Sequence, residues 1–222
     1  MKSDPSRTEK FITDIAYRLT ALTIRTICRI NGKVEVKGKE NVPAEGGLII
    51  AANHISNLDP PVIGSVSPRR ITFMAKRDLF SIPVLGWMIK YAAFPVDREK
   101  TMPSTIKETV RRLRRGEVIA IFPEGTRSGT GELQEAKRGI GMLAELSRAP
   151  IVPALIRGTD RALPAGSKWL KRARISVVFG SPIYYASVTD GGELSGRQLH
   201  DAISNKIMAA IEDLKVKYPD TN

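Results

Sequence analysis

The sequence predicts a single α/β domain with a largely parallel central sheet flanked by helices, preceded by an amphipathic helix. Three observations carry that prediction. Short, near-continuous apolar runs recur along the chain, the pattern of strands covered on both faces. Helical patterns with start and stop residues fall between several of them. The 222 residues, 42% of them hydrophobic, show no repeat, low-complexity block or linker, which suits one core better than two.

The amphipathic segment comes first and is set apart, 1–32, from a domain spanning 33–222. Residues 10–30 read as a helix: Asp14, Arg18, Arg25 and Arg29 share one face, and Ile12, Ile15, Leu19, Leu22 and Ile30 lie away from it. Two readings stand side by side. The stripe packs on the protein's own core, or it enters a membrane surface while the arginines meet lipid phosphates. Strands are expected at 33–37, 48–52, 71–75, 93–96, 118–122, 151–156 and 175–179. Helices are expected at 103–115, with Pro103 in the first turn and Gly116 past the end, and at 136–148, before Pro150. A last helix opens on Ser195 and Gln198, spaced as a capping box, with Leu199, Ile203, Ile207, Ala210, Ile211 and Leu214 as its apolar face. His200, beside that stripe, reads as a surface or packing residue.

Lys and Arg outnumber Asp and Glu by 35 to 23, a formal charge of +12. That favours anionic partners, whether nucleic acid, lipid headgroups, phosphorylated substrates or an acidic carrier protein. The run Arg111-Arg112-Leu113-Arg114-Arg115 reads as a solvated helix face, and no nucleic-acid motif accompanies it. A single cysteine, Cys28, excludes an intrachain disulfide, and with only His54 and His200 beside it a zinc site lacks ligands, so no metal is expected. The amino terminus is charged throughout and shows no signal-peptide pattern. The longest apolar region, 79–96, is broken by Pro83, Lys90 and Pro95, short of the roughly 20 residues a span needs. The chain therefore reads as soluble or monotopic rather than spanning, and its expected place is the cytoplasmic face of a membrane, as a peripheral or monotopic protein.

Chemistry gathers at strand ends. The run 48–52 leads into Asn53-His54, and ligands of open α/β sheets collect at the carboxyl ends of strands. Asp59 follows five residues later. On a helix that step rotates by about 500°, so the pair meets only across a turn, which Ser56, Asn57 and Pro60-Pro61 supply. A carboxylate on one imidazole nitrogen fixes the tautomer and leaves the other nitrogen to take a proton. His54 ending a strand and Asp59 capping the next helix is the plain structural alternative, and the two residues alone do not separate these.

A second constellation, FPEGTRSGTG at Phe122 to Gly131, places backbone N–H donors, a hydroxyl and the Arg127 guanidinium after a strong strand, a set suited to a phosphate. It lacks the GK[ST] ending of a P-loop, and a long polar hairpin turn is the alternative. Phe94-Pro95-Val96-Asp97-Arg98 delivers another arginine at a strand end, where a surface ion pair is the plain reading. Lys76-Arg77 is a sparser case of the same kind. No G-x-S-x-G elbow is present, and Cys28 lies in the first helix, so a covalent nucleophile has no support. Direct attack, with a base and no covalent enzyme intermediate, needs fewer parts.

NHISNLD at Asn53 to Asp59 resembles the N-H-x-x-x-x-D box of the glycerolipid acyltransferases. FPVDR at Phe94 to Arg98, FPEGTRS at Phe122 to Ser128 and IVPALI at Ile151 to Ile156 resemble that family's three following boxes, in order. The match spans about half the chain and is nearest to the lysophosphatidate acyltransferases. What it implies is transfer of an acyl chain from acyl-CoA or acyl-carrier protein to the sn-2 hydroxyl of lysophosphatidate, giving phosphatidate, at an anionic membrane surface and without a cofactor. By the same resemblance His54 is the general base and Asp59 orients it. Arg98, Glu124, Gly125, Thr126 and Arg127 form the acceptor-phosphate site, with Lys76 contributing, and Pro153 belongs to the acyl-site wall. The second box departs from the family pattern at Ala93-Phe94-Pro95, and an acyl tunnel would draw on apolar segments such as 79–96. The boxes are shared with enzymes acting on other lysophospholipids, ornithine-type lipids or glycerol 3-phosphate. A basic, non-enzymatic membrane-binding module is the reading from another class.

Overall fold

All five residues of β2 (Leu48–Ala52) are buried, and the two-residue period of a strand divides them between two cores. The computed structural model describes residues 7–82, 86, 89–96, 102–129, 131–167, 169–189 and 194–220. Leu48, Ile50 and Ala52 join Val62, Ile63, Ile71 and Phe73 on one face of the sheet. Ile49 and Ala51 join Ile106, Leu113, Ile140, Leu143, Ile203 and Ile207 on the other. Each buried Leu or Ile contributes about 1.5–3 kcal/mol, so a strand covered on both sides reads as an unbroken apolar run.

Around β2 lie β1 (Val34–Lys37), β3 (Ile71–Lys76), β4 (Ala93–Val96), β5 (Val118–Ile121), β6 (Ile151–Arg157) and β7 (Ile175–Phe179). They form one sheet in the order β1-β7-β6-β2-β5-β3-β4. Every neighbouring pair is parallel except β6 and β7, which run antiparallel with Arg157 opposite Ser176. The largely parallel sheet flanked by helices is the expected one. Its single reversal matters: β2 to β6 deliver their carboxyl ends to one edge, and β7 and β1 begin at that same edge.

Among the described residues, the helices include α1 (Arg7–Ile30), α2 (Asp59–Val66), α3 (Met102–Arg114), α4 (Gly139–Ser147), the short α5 (Thr159–Ala162) and α6 (Ala186–Thr189), and α7 (Gly196–Lys217). Two depart from expectation. The 136–148 segment becomes helical only at Gly139, and just before it the Lys137 N–H donates to the Pro123 carbonyl (2.8 Å). Ser195 caps α7 in position but makes no side-chain cap bond, and Gly196, at φ +54°, departs from the right-handed first turn a capping box requires. His200 meets Glu145 of α4 at 2.6 Å, a packing role.

α1 docks through a face the sequence left unmarked. Tyr17 donates its hydroxyl to the Gly64 carbonyl of α2 and accepts the Ile71 N–H, both at 3.0 Å. Cys28, on the same side, is buried, and burial pushes its thiol pKa up. The apolar stripe does not pack on the core: Phe11, Ile12, Ile15, Leu19, Leu22 and Ile30 are all exposed. Among the described residues, no helix is long and apolar enough to cross a membrane.

Candidate active site

β2 ends where Asn53 leaves the ladder. Its buried amide replaces a strand partner, donating to the Ile156 carbonyl (2.9 Å) and accepting the Ile156 N–H (2.7 Å). That pair of hydrogen bonds holds the chain at the sheet edge, and His54 is the next residue. The following turn closes when the Asp59 N–H reaches the Ser56 carbonyl (3.1 Å) and brings the Asp59 carboxylate back over residues 54–56.

Asp59 is fully buried, and four donors surround its carboxylate. Oδ2 accepts His54 Nδ1–H (2.8 Å) and the N–H groups of Ile55 (2.7 Å) and Ser56 (2.8 Å). Oδ1 accepts the Thr159 hydroxyl (2.5 Å) from the start of α5. A carboxylate against Nδ1 selects the tautomer protonated there and presents the Nε2 lone pair outward. The His54 ring is 18% exposed and stacks on Phe122 with centroids 4.2 Å apart. Asp59 is thus the partner of the histidine and stands as first residue of α2 without capping it: the N-cap position is Leu58 and no side-chain cap bond forms there.

The EGTR loop leaves β5 on the neighbouring strand and is fastened to the histidine's own backbone. Glu124 Oε1 accepts the His54 N–H (2.9 Å), and the His54 carbonyl accepts the Ser128 N–H (2.7 Å). Glu124 Oε2 takes the Gln134 N–H (3.2 Å). With the carboxylate 2% exposed, burial raises its pKa, against the pull of those two N–H groups. Gly125 sits at φ +72°, a left-handed turn in which any side chain is strained and a Cβ would lie 2.6 Å from the Lys137 chain. Thr126 and Arg127 are exposed beyond it.

Lys76 ends β3, exposed, in register with Val96 at the end of β4. The segment that follows Val96 carries Arg98, which lies outside the described residues. Pro153 is within β6, opposite Ala51 and against Gly180, rather than at the sheet edge with the others. Asn53 and Thr159 are the residues that sequence reasoning missed. The signal for Asn53 was its place directly after an apolar strand. For Thr159 it was only a Gly-Thr pair following β6.

The acyltransferase family model matches residues 33–157, from just before β1 to the end of β6. The chain is 34% identical to the 1-acyl-sn-glycerol-3-phosphate acyltransferase of Bacillus subtilis over 203 residues, covering 90% of this chain and 98% of that protein. It is 27% identical to the enzyme of the same name from Streptococcus pneumoniae, covering 88% of this chain and 71% of that one. Among solved structures it resembles the 1-acyl-sn-glycerophosphate (LPA) acyltransferase PlsC from Thermotoga maritima, with a TM-score of 0.73, 25% identity, and coverage of 95% of this chain and 84% of that one. The matched region contains His54, Asp59 and the EGTR loop, and the likeness extends over nearly the whole chain: the protein belongs to the acyltransferase family.

Proposed function

We propose that the protein is a 1-acyl-sn-glycerol-3-phosphate acyltransferase, acting at a membrane surface on an acyl thioester of coenzyme A or of an acyl-carrier protein. The observation that carries the mechanism is the double fastening of the EGTR loop to the backbone of His54. A base and an anion-binding loop joined at the same residue suit an acceptor that carries a hydroxyl a few bonds from a phosphate. The family match and the relatives' activities support the substrate.

His54 Nε2 takes the proton of the sn-2 hydroxyl as the oxygen attacks the thioester carbonyl. The C–O bond forms, the tetrahedral adduct collapses, the C–S bond breaks, and the thiol departs with the proton returned from His54. Asp59 keeps Nδ1 protonated and faces the positive charge that appears on the ring, a contribution that grows as the transition state develops. Thr126 offers its hydroxyl to the acceptor phosphate, with Arg127, Arg98 and Lys76 as its cations, and Gly125 supplies the left-handed turn that presents them, its own N–H being held by the Phe122 carbonyl (3.0 Å). Glu124 serves that loop from behind, by holding it on His54. Pro153 contributes to the wall of the acyl site.

Assaying one labelled thioester against lysophosphatidate, other lysophospholipids and glycerol 3-phosphate tests the assignment. Lysophosphatidate should be strongly preferred, and equal use of the other lysophospholipids or of glycerol 3-phosphate would overturn it. Arg127→Ala is expected to raise the lysophosphatidate KM roughly tenfold or more, the worth of one charged hydrogen bond, with a smaller change in kcat. An unchanged KM would remove Arg127 from the phosphate site.

The exposed stripe on α1 is assigned to the bilayer. Arg18, Arg25 and Arg29 border it, and the chain's +12 charge matches an anionic surface. Since Leu19 and Leu22 touch no core, their replacement by Glu should leave the fold intact and sharply reduce flotation with anionic liposomes. Undiminished flotation would end this assignment.

A further inference from the structure

Trp169 is 82% exposed, in the connection between α5 and β7, and it is followed by Leu170 and the exposed cations Lys171 and Arg172. Single exposed apolar residues are ordinary. This one is presented by a built turn: the Ser167 hydroxyl accepts the Trp169 N–H (3.2 Å) and donates to the Trp169 carbonyl (2.9 Å). Leu170 packs inward on the core that holds Cys28, Leu58 and Ala162, so the indole is held out while its neighbour is held in.

The turn is also joined to the end of α1. The Ala173 N–H donates to the Asn31 carbonyl (3.0 Å), and the backbones meet so closely that a Cβ on Gly32 would lie 1.9 Å from the Ala173 oxygen. Ile30, 77% exposed, ends α1 beside that junction. The strand reversal puts these features on the edge that carries His54, because β7 and β1 start where β6 and β2 finish. At its other end the connection meets the site itself: Thr159 donates to Asp59, and Ser56 Oγ donates to the Leu163 carbonyl (3.1 Å).

We propose that Trp169, Lys171 and Arg172 form a second membrane contact, continuous with the exposed face of α1, in which the indole enters the headgroup level of an anionic bilayer and the two cations meet lipid phosphates. It rests on the membrane reading of α1. Indole has the amphipathic character of interfacial anchors, and adjacent basic residues strengthen binding to anionic leaflets. Two contacts on one rigid edge set the orientation of the site over the lipid, which a single helix leaves free to roll.

The test is partitioning of the full chain onto vesicles of phosphatidylglycerol and phosphatidylcholine, compared with phosphatidylcholine alone. Trp169→Ala should bind the anionic vesicles roughly tenfold more weakly, a loss on the scale of one aromatic side chain. Its transfer to a short-chain, monomeric lysophosphatidate should be unchanged. The difference in emission between wild type and Trp169→Phe isolates this indole from Trp87. It should shift to the blue on anionic vesicles and be quenched by brominated lipid. Wild type that fails to bind at all overturns the membrane reading of α1 as well. Wild type that binds while Trp169→Ala binds equally, with an unmoved difference spectrum, overturns this contact alone. A Lys171→Glu/Arg172→Glu variant that raises the KM for acyl-carrier protein, with vesicle binding intact, would reassign the surface to the acidic carrier.

Discussion

His54→Ala is expected to lower acyl transfer by about 10²–10⁴-fold, the usual worth of a positioned general base, while thermal unfolding shifts by only a few degrees. The asymmetry follows from which atoms of His54 hold the structure. Its N–H and carbonyl fasten the Glu124–Ser128 loop, and alanine keeps both. Asp59 loses one of four donors and keeps Ile55 N–H, Ser56 N–H and the Thr159 hydroxyl, so no buried N–H or O–H is stranded. What disappears is Nε2 and the stacking on Phe122. Steady-state assays with a labelled thioester beside a melting curve measure the two effects. Turnover near the wild-type rate would remove His54 from the chemistry.

Asp59 should behave in the opposite way, with stability and catalysis falling together on truncation. Asp59→Ala leaves two backbone N–H groups and a threonine hydroxyl in a fully buried site without their acceptor. At about 1–3 kcal/mol for each stranded group, the variant should lose several kcal/mol, or on the order of 10 °C in Tm for a domain of this size. Asp59→Asn separates the roles. Its amide oxygen can occupy the three-donor position while its NH₂ donates to Thr159 Oγ1, whose lone pairs can accept. The fold then loses only the charge-assisted part of those bonds, and the imidazolium formed during transfer loses its counter-charge. Asn should therefore melt well above Ala yet remain at least roughly 10²-fold slower than wild type in kcat. Wild-type kcat in the Asn variant would reduce Asp59 to a structural support.

The contrast between these two residues also marks how far the sequence could be read. The seven strands were legible because a doubly covered strand cannot hide its apolar run, and β2, β4 and β7 begin and end at the predicted residues. His54 and Asp59 were legible as a pair because the turn joining them is local. Their supports were not. Thr159 reaches Asp59 across 100 residues and Asn53 reaches Ile156 across 103, distances over which spacing carries no information. Glu124 was legible as part of a polar loop, yet its bond to the His54 N–H depends on β2 and β5 being neighbours. The α1 stripe was plain in the sequence, but whether it faced core or solvent turned on Tyr17, whose partners Gly64 and Ile71 lie in other elements.

The antiparallel seam between β6 and β7 has a consequence for kinetics. With the starts of β1 and β7 turned toward the carboxyl ends of the other five strands, the proposed lipid contacts and the reacting atoms share one rim of the molecule. An acceptor gathered there is searched for in two dimensions, and its product is left in the same leaflet. The rate should then follow the mole fraction of lysolipid in the surface, so diluting that surface with inert lipid at constant total substrate slows the enzyme, although the concentration in solution has not changed.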